Sequence, residues 1–137
     1  MGMSIGSTPT PVDIAVSGMR AHAMRINVIA NNIANAQTTD AGNGQPYRRK
    51  EVALSTDGEG LNGVNIDEIA QDMESKMQRV LMVGHPNADE QGYVNMPNVS
   101  LPTEMMNMVA ATRAYQASTA VLKRYQEVAD QTLELLR

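Results

Sequence analysis

Residues 12–36 read VDIAVSGMRAHAMRINVIANNIANA, and the fold turns on what this stretch packs against. Val12, Val16, Met19, Ala23, Ile26, Ala30 and Ile33 recur at alternating steps of four and three. That spacing is the apolar seam of a helix lying along another helix. Ile14, Val28 and Ile29 widen it. The Pro11 turn or Asp13 opens the helix, which then runs to about residue 36, some ~36 Å of rise. Gly18 is its weak point, costing about 1 kcal/mol against Ala unless it lets a second helix approach closely. Asparagine is a poor helix former, because its amide competes for backbone groups. Yet Asn27, Asn31 and Asn35 stand four apart, forming one line on the flank of the stripe, with Asn32 further round. Two readings stay open. The line is a solvated face that frays into a turn, or its amides bridge to neighbouring backbones and fix register and partner at a cost in stability.

The partner for such a helix stands at the other end of the chain. Ser100 or Thr103 can cap a helix there, Pro102 suits its first turn, and Glu104 complements the positive end of its dipole. One four-three ladder starts Leu101, Met105, Met108, Thr112, Tyr115, Thr119, Leu122 and continues to Leu136. A second passes through Ala111, Ala114, Ser118, Val121 and Tyr125 to Leu135. With no Gly or Pro over residues 103–137, the helix is about 50 Å long. Two ladders mean either one wide buried face in a bundle or contacts on two sides, as in a packed array.

Between the helices, "QTTDAGNGQP" (37–46) reads as loop, and "YRRKEVALS" (47–55) and "VNIDEI" (64–69) alternate like strands about a long turn at 56–63. Residues 70–83 are ambiguous. Ile66, Ala70, Met73, Met77 and Val80 fit helical spacing, while "RVLMV" fits a strand. Residues 84–100 carry several turn signals and read as extended loop. The expected class is therefore mainly α. Long N- and C-terminal helices pair as a coiled-coil-like hairpin, with a small β-rich middle. The expected divisions are 1–39, 40–100 and 101–137.

Composition narrows the function. The 137 residues contain no Cys, Phe or Trp, but 11 Met. Disulfides, thiolate metal sites and cysteine nucleophiles are excluded. Methionine gives a core or surface that adapts to several packings. Residues 1–50 carry a net charge of +3, residues 51–100 a net −7, and residues 101–137 balance, so the ends and the middle have different roles. No basic stripe with interleaved aromatics suggests nucleic acid. No apolar run approaches the roughly 18 residues of a membrane span. The start, "MGMSIGSTPTP", reads as a flexible lead lacking the basic and apolar regions of a secretory signal.

Several motifs lead nowhere. Gly58, Gly60 and Gly63 match a dinucleotide fingerprint, but residues 64–69 then alternate like a strand instead of opening a helix. Arg48, Arg49 and Lys50 read as a solvated strand edge, or as a surface meeting the acidic middle of another copy. His22 and His85 are far apart, and no nucleophile motif accompanies either. An enzyme would have only His85, Asp89 and Glu90 of one loop to work with. A soluble helical adaptor or chaperone is the alternative reading on periodicity alone.

The segment from Asp13 to Leu54, with Asn31-Asn32-Ile33-Ala34-Asn35-Ala36 and Thr38-Thr39, resembles the N-terminal signature of bacterial flagellar rod and hook proteins. "PYRRK" (46–50), "GHPNADEQGYVNMPNV" (84–99) and "EMMNMVAATRAYQAS" (104–118) resemble the proximal-rod members. The resemblance spans residues 12–137. It implies a structural subunit with no cofactor, whose terminal helices pack in a helical tube that carries torque across the periplasm to the hook. It further implies that the termini stay unfolded until assembly and that export runs through the flagellar type III apparatus without a cleaved signal. The implied partners are its own copies, other rod proteins, and membrane-ring and export-gate components. Neither nucleic acid nor membrane insertion is implied. The residues expected at assembly contacts are Val16, Met19, Ile26 and Ile33 on the first seam, and Asn27, Asn31, Asn32 and Asn35 beside it. On the last helix they are Met105, Met108, Tyr115 and Leu122.

Overall fold

A computed structural model of the chain describes residues 9–56 and 63–136. Most of the stretch read as a lead and of that read as a long turn, including Gly58 and Gly60 of the glycine motif, lies outside the described residues. Helix α1 spans Pro11–Ala34 and helix α2 spans Leu101–Leu135. The start of α1 is set by a residue not foreseen. Thr10 is its N-cap, exchanging hydrogen bonds with Asp13 in a capping box, with Pro11 at the first helical position. These bonds hold the Asp13 carboxyl below its ordinary pKa, the Thr10 hydroxyl being the main cause. At α2, Ser100 occupies the cap position without a side-chain cap bond.

The two helices run antiparallel. A side chain built at Gly18 would meet the Ser118 hydroxyl at 3.4 Å, and Asn32 bonds to Glu104. In that register Pro11 lies level with Tyr125, and residues 123–135 of α2 are exposed. Their last ten or so extend about 15 Å beyond the start of α1.

Strand β1 (Lys50–Thr56) pairs antiparallel with β2 (Val64–Gln71). The expected hairpin forms, and β2 runs two residues further than its sequence pattern indicated. The register shifts at Ala53/Leu54. Asp67 is the extra residue of this bulge, and its carboxylate accepts from the Ser55 hydroxyl at 2.6 Å. The hairpin lies along α1, fixed near both of its ends. At one end Lys50 meets Asn32. At the other, the Val64 N–H donates to the Ser17 hydroxyl at 3.1 Å. The lengths agree: fifteen residues of helix rise about 22 Å and seven of strand about 23 Å. Gly63 makes the second contact possible. Its φ is +83°, and a Cβ there would sit 2.5 Å from the Ser17 oxygen.

The ambiguous segment resolves as β3 (Gln78–Leu81), not helix. Its partner β4 (Tyr93–Met96) lies inside the stretch read as loop. The turn signals there were real, but they close a hairpin. Asp89 organises it, accepting from the N–H groups of Gln91 and Tyr93 and pairing with Arg79, which also lies 5.0 Å from the Tyr93 ring.

Candidate functional site

A helix gripped on two sides buries an arc between its two partners, and this turns α1 away from the expected seam. Its buried residues are Ala15, Ala21, Val28, Ile29 and Asn32. Val16, Met19, Ile26 and Ile33 are half-buried and Ala30 is exposed. The buried arc is centred about 130° from the row Val12 to Ile33, on the side of Val28 and Ile29, which the sequence placed only at the seam's margin. A single-partner seam cannot describe α1, which also carries the β1–β2 hairpin. On α2 the buried and half-buried positions Glu104, Met108, Ala111, Tyr115, Ser118 and Leu122 follow a four-three rhythm. That row takes members from both ladders. Met105 points away from it and is 62% exposed.

The asparagines separate into three roles. Asn27 and Asn31 are exposed. Asn35 is the C-cap of α1, its amide donating to the Asn31 carbonyl at 2.9 Å. Asn32 is wholly buried. Its Nδ2 donates to the Lys50 carbonyl at 2.8 Å and to Glu104 Oε2 at 3.1 Å. Its Oδ1 accepts from the Tyr47 hydroxyl at 3.0 Å and the Lys50 N–H at 2.9 Å. All four hydrogen-bonding positions of the amide are used, as burial requires.

Glu104 is equally buried. Arg49 Nε donates to its Oε1 at 2.7 Å. The Arg49 main-chain N–H donates to Asn98 Oδ1 at 2.8 Å, and Asn98 Nδ2 donates to the Asp72 carbonyl. Arg48 donates to that same carbonyl at 3.2 Å. The side chains of Arg48 and Arg49 therefore bind within the chain, and the Lys50 ammonium lies 5.9 Å from the centre of the Tyr47 ring. Burial, then the negative charge of Glu104, pushes the Tyr47 phenol above its ordinary pKa, so it remains a neutral donor. One polar junction thus joins α1, the start of β1, the segment before α2, and the first turn of α2. The sequence read Glu104 only as a complement to the dipole of α2. Its only signal of burial was its position at the head of the four-three row through Met108 and Ala111.

Outside the junction, α2 presents bare apolar surface. Met106 is 74% exposed, and Met105, Val109, Val121, Val128 and Leu133 are also exposed. Among the described residues no three His, Cys, Asp or Glu gather to hold a metal, and no helix is long and apolar enough to cross a membrane.

A satisfied polar junction that orients helices with bare apolar faces is the build of a structural protein that meets other chains. Comparison with known proteins gives the family. A model described as flagella basal body rod protein matches residues 13–41, and one described as flagellar basal body rod FlgEFG protein C-terminal matches residues 90–135. The flagellar basal-body rod protein FlgC of Salmonella typhimurium is 39% identical over 126 residues, which cover 90% of this chain and 93% of that protein. Its counterpart in Yersinia enterocolitica is 40% identical over the same shares. The one in Borreliella burgdorferi is 31% identical over 147 residues, covering 92% and 95%. The chain belongs to the flagellar basal-body rod protein family. That family is structural, and the chain is not an enzyme.

Proposed function

We propose that this chain is a subunit of the proximal rod of the flagellar basal body, assembling with other basal-body components through its terminal helices. The supporting observation is α2 itself. It is a 35-residue helix whose intrachain partner α1 has 24, and it leaves two apolar patches bare, Met105, Met106 and Val109 near its start and Val121 and Val128 further along. Aliphatic side chains exposed over such an area carry a standing cost in water, removed when other chains cover them. Methionine at Met105 and Met106 suits contacts that differ among neighbours. Asn27 and Asn31, exposed on α1, supply polar partners that set register in such contacts. Val16, Met19, Ile26 and Ile33 have partly open flanks that a neighbouring helix would close. Met108, Tyr115 and Leu122 shape the seam that keeps α2 straight beside α1. Asn32 and Asn35 act within the subunit, presenting the helix end that bears Asn31.

On this reading the helix pair (1–39 with 101–137) is a coiled-coil-like core unit and residues 40–100 form a layer outside it. The proposed neighbours are copies of this chain, other rod proteins, and membrane-ring and export-gate components. The chain reaches the rod through the flagellar export apparatus, without inserting in the membrane or binding nucleic acid, and the rod carries torque to the hook.

The test replaces chromosomal copies with Met105→Asp and Val121→Asp variants. Motility is expected to fall to the level of the deletion strain while the purified variants keep the circular dichroism of the parent. Full motility in both would remove α2's exposed face from the assembly.

A further inference from the structure

We propose that Asn32, Arg49 and Glu104 form a register lock, admitting α2 onto α1 in one alignment and only when the segment from Tyr47 to Lys50 is in place. The need for a lock lies in the seam. The row Met108, Ala111, Tyr115, Ser118, Leu122 is a heptad pattern, and heptad seams admit slippage by seven residues, about 10.5 Å. Sliding α2 by one heptad puts Ala111 where Glu104 was, Tyr115 at Met108, Ser118 at Ala111, Leu122 at Tyr115 and Tyr125 at Ser118. Four of the five replacements are small, apolar or aromatic at sites that can adapt, and Tyr125 at Ser118 is the exception, because Ser118 lies against Gly18. The apolar seam alone therefore separates the two alignments at one position only, and pairing Gly18→Cys with Tyr125→Cys removes that tyrosine.

The junction separates them strongly. In the slipped alignment Ala111 offers no acceptor, so Arg49 Nε and one Asn32 N–H lose their partner inside a buried site. The opposite slip would put Pro97, which precedes the helix, at the Glu104 position. The carboxylate on the helix, with Asn98 in the segment before it, therefore guards the only free direction. The lock is also conditional. Three of the four bonds of the Asn32 amide go to Tyr47 and Lys50, and the cation for Glu104 comes from Arg49. The loop after α1 and the start of β1 assemble the socket, and α2 closes it. This property belongs to the subunit alone, whatever it assembles with.

The chain contains no Cys, so engineered pairs report alignment cleanly. Gly18→Cys with Ser118→Cys reports the native register, and Gly18→Cys with Tyr125→Cys the slipped one. Each pair is placed in the full-length chain with the junction intact, with Glu104→Gln, with Glu104→Met, and with Arg49→Met/Glu104→Met. Disulfide yield and helix content are measured together. With the junction intact, 18/118 should dominate and 18/125 stay at background. Glu104→Gln, which keeps an acceptor, should behave nearly alike. Glu104→Met and the double variant should raise 18/125 to a share comparable with 18/118 at unchanged helix content. Background 18/125 in both Met variants would overturn the proposal, as would indiscriminate crosslinking with the junction intact. Loss of helix content in the double variant would also overturn it, because a lock selects register and does not hold the pair together.

Discussion

Two adjacent asparagines in α1, Asn31 and Asn32, have opposite environments, and a stability measurement separates the buried site from the exposed face. Asn32→Leu orphans the Lys50 N–H and carbonyl and the Tyr47 hydroxyl in a buried site. At about 1–3 kcal/mol for each unsatisfied group, the expected loss is about 3 kcal/mol or more by urea denaturation. Asn27→Ala, at an exposed helical position one turn before Asn31, should change stability by less than about 0.5 kcal/mol. Tyr47→Phe tests the same buried site through pH. The folded-state pKa of Tyr47 is raised above 10.0. Its contribution is therefore complete below the unfolded value and is lost as pH rises through the raised one. The parent should lose stability above about pH 10. Tyr47→Phe should begin lower by about 1 kcal/mol and show less of that alkaline decline. The sequence flagged the asparagines as anomalous, but not which of them is buried. Side-chain identity does not encode the direction a helix turns once it has two partners. Glu104 was missed for a related reason: a carboxylate at a helix start is ordinarily solvated, and its long-range pairing with Arg49 and Asn32 explains its burial.

At the level of elements, α1, α2 and the β1–β2 hairpin were legible because each carries its own period over many residues. β3 and β4 have four residues each, too few for a period to stand out among the turn residues beside them. The contact between β2 and α1 was not legible at all, since it rests on one glycine. Gly63→Ala would need φ +83° and would drive a methyl into the Ser17 hydroxyl. The expected cost exceeds about 1 kcal/mol, and a shifted Val64 amide resonance would place the damage at that contact. The two halves of α2 should also differ. The seam and junction fold the pair in the isolated chain, against the unfolded termini that the resemblance implies, so amides of residues 108–118 should exchange hydrogen slowly there. Those of residues 123–135, beyond the seam, should exchange quickly. Equal protection along the whole helix would mean that a partner already covers its far end.

For the whole molecule, a helix pair longer than its own core makes sense as one piece of something larger. The mainly helical ends around a β-rich middle were read from periodicity, and the family came from the Asn-rich motif and the segments around Gly84 and Tyr93. Which helix faces meet other chains was not legible. The expected assembly residues Met108, Tyr115 and Leu122 are spent mainly on the chain's own seam, while the bare surface lies at Met106, Val109, Val121 and Val128. A repeating apolar pattern identifies a surface to be covered without naming what covers it. The most direct test of the rod assignment is electron microscopy of basal bodies purified from cells lacking this gene, with the gene restored in trans as control. A rod subunit predicts that the rod and every structure distal to it are missing, and return with the gene. Complete rods and hooks in the deletion strain, with no second copy of the gene present, would contradict that assignment.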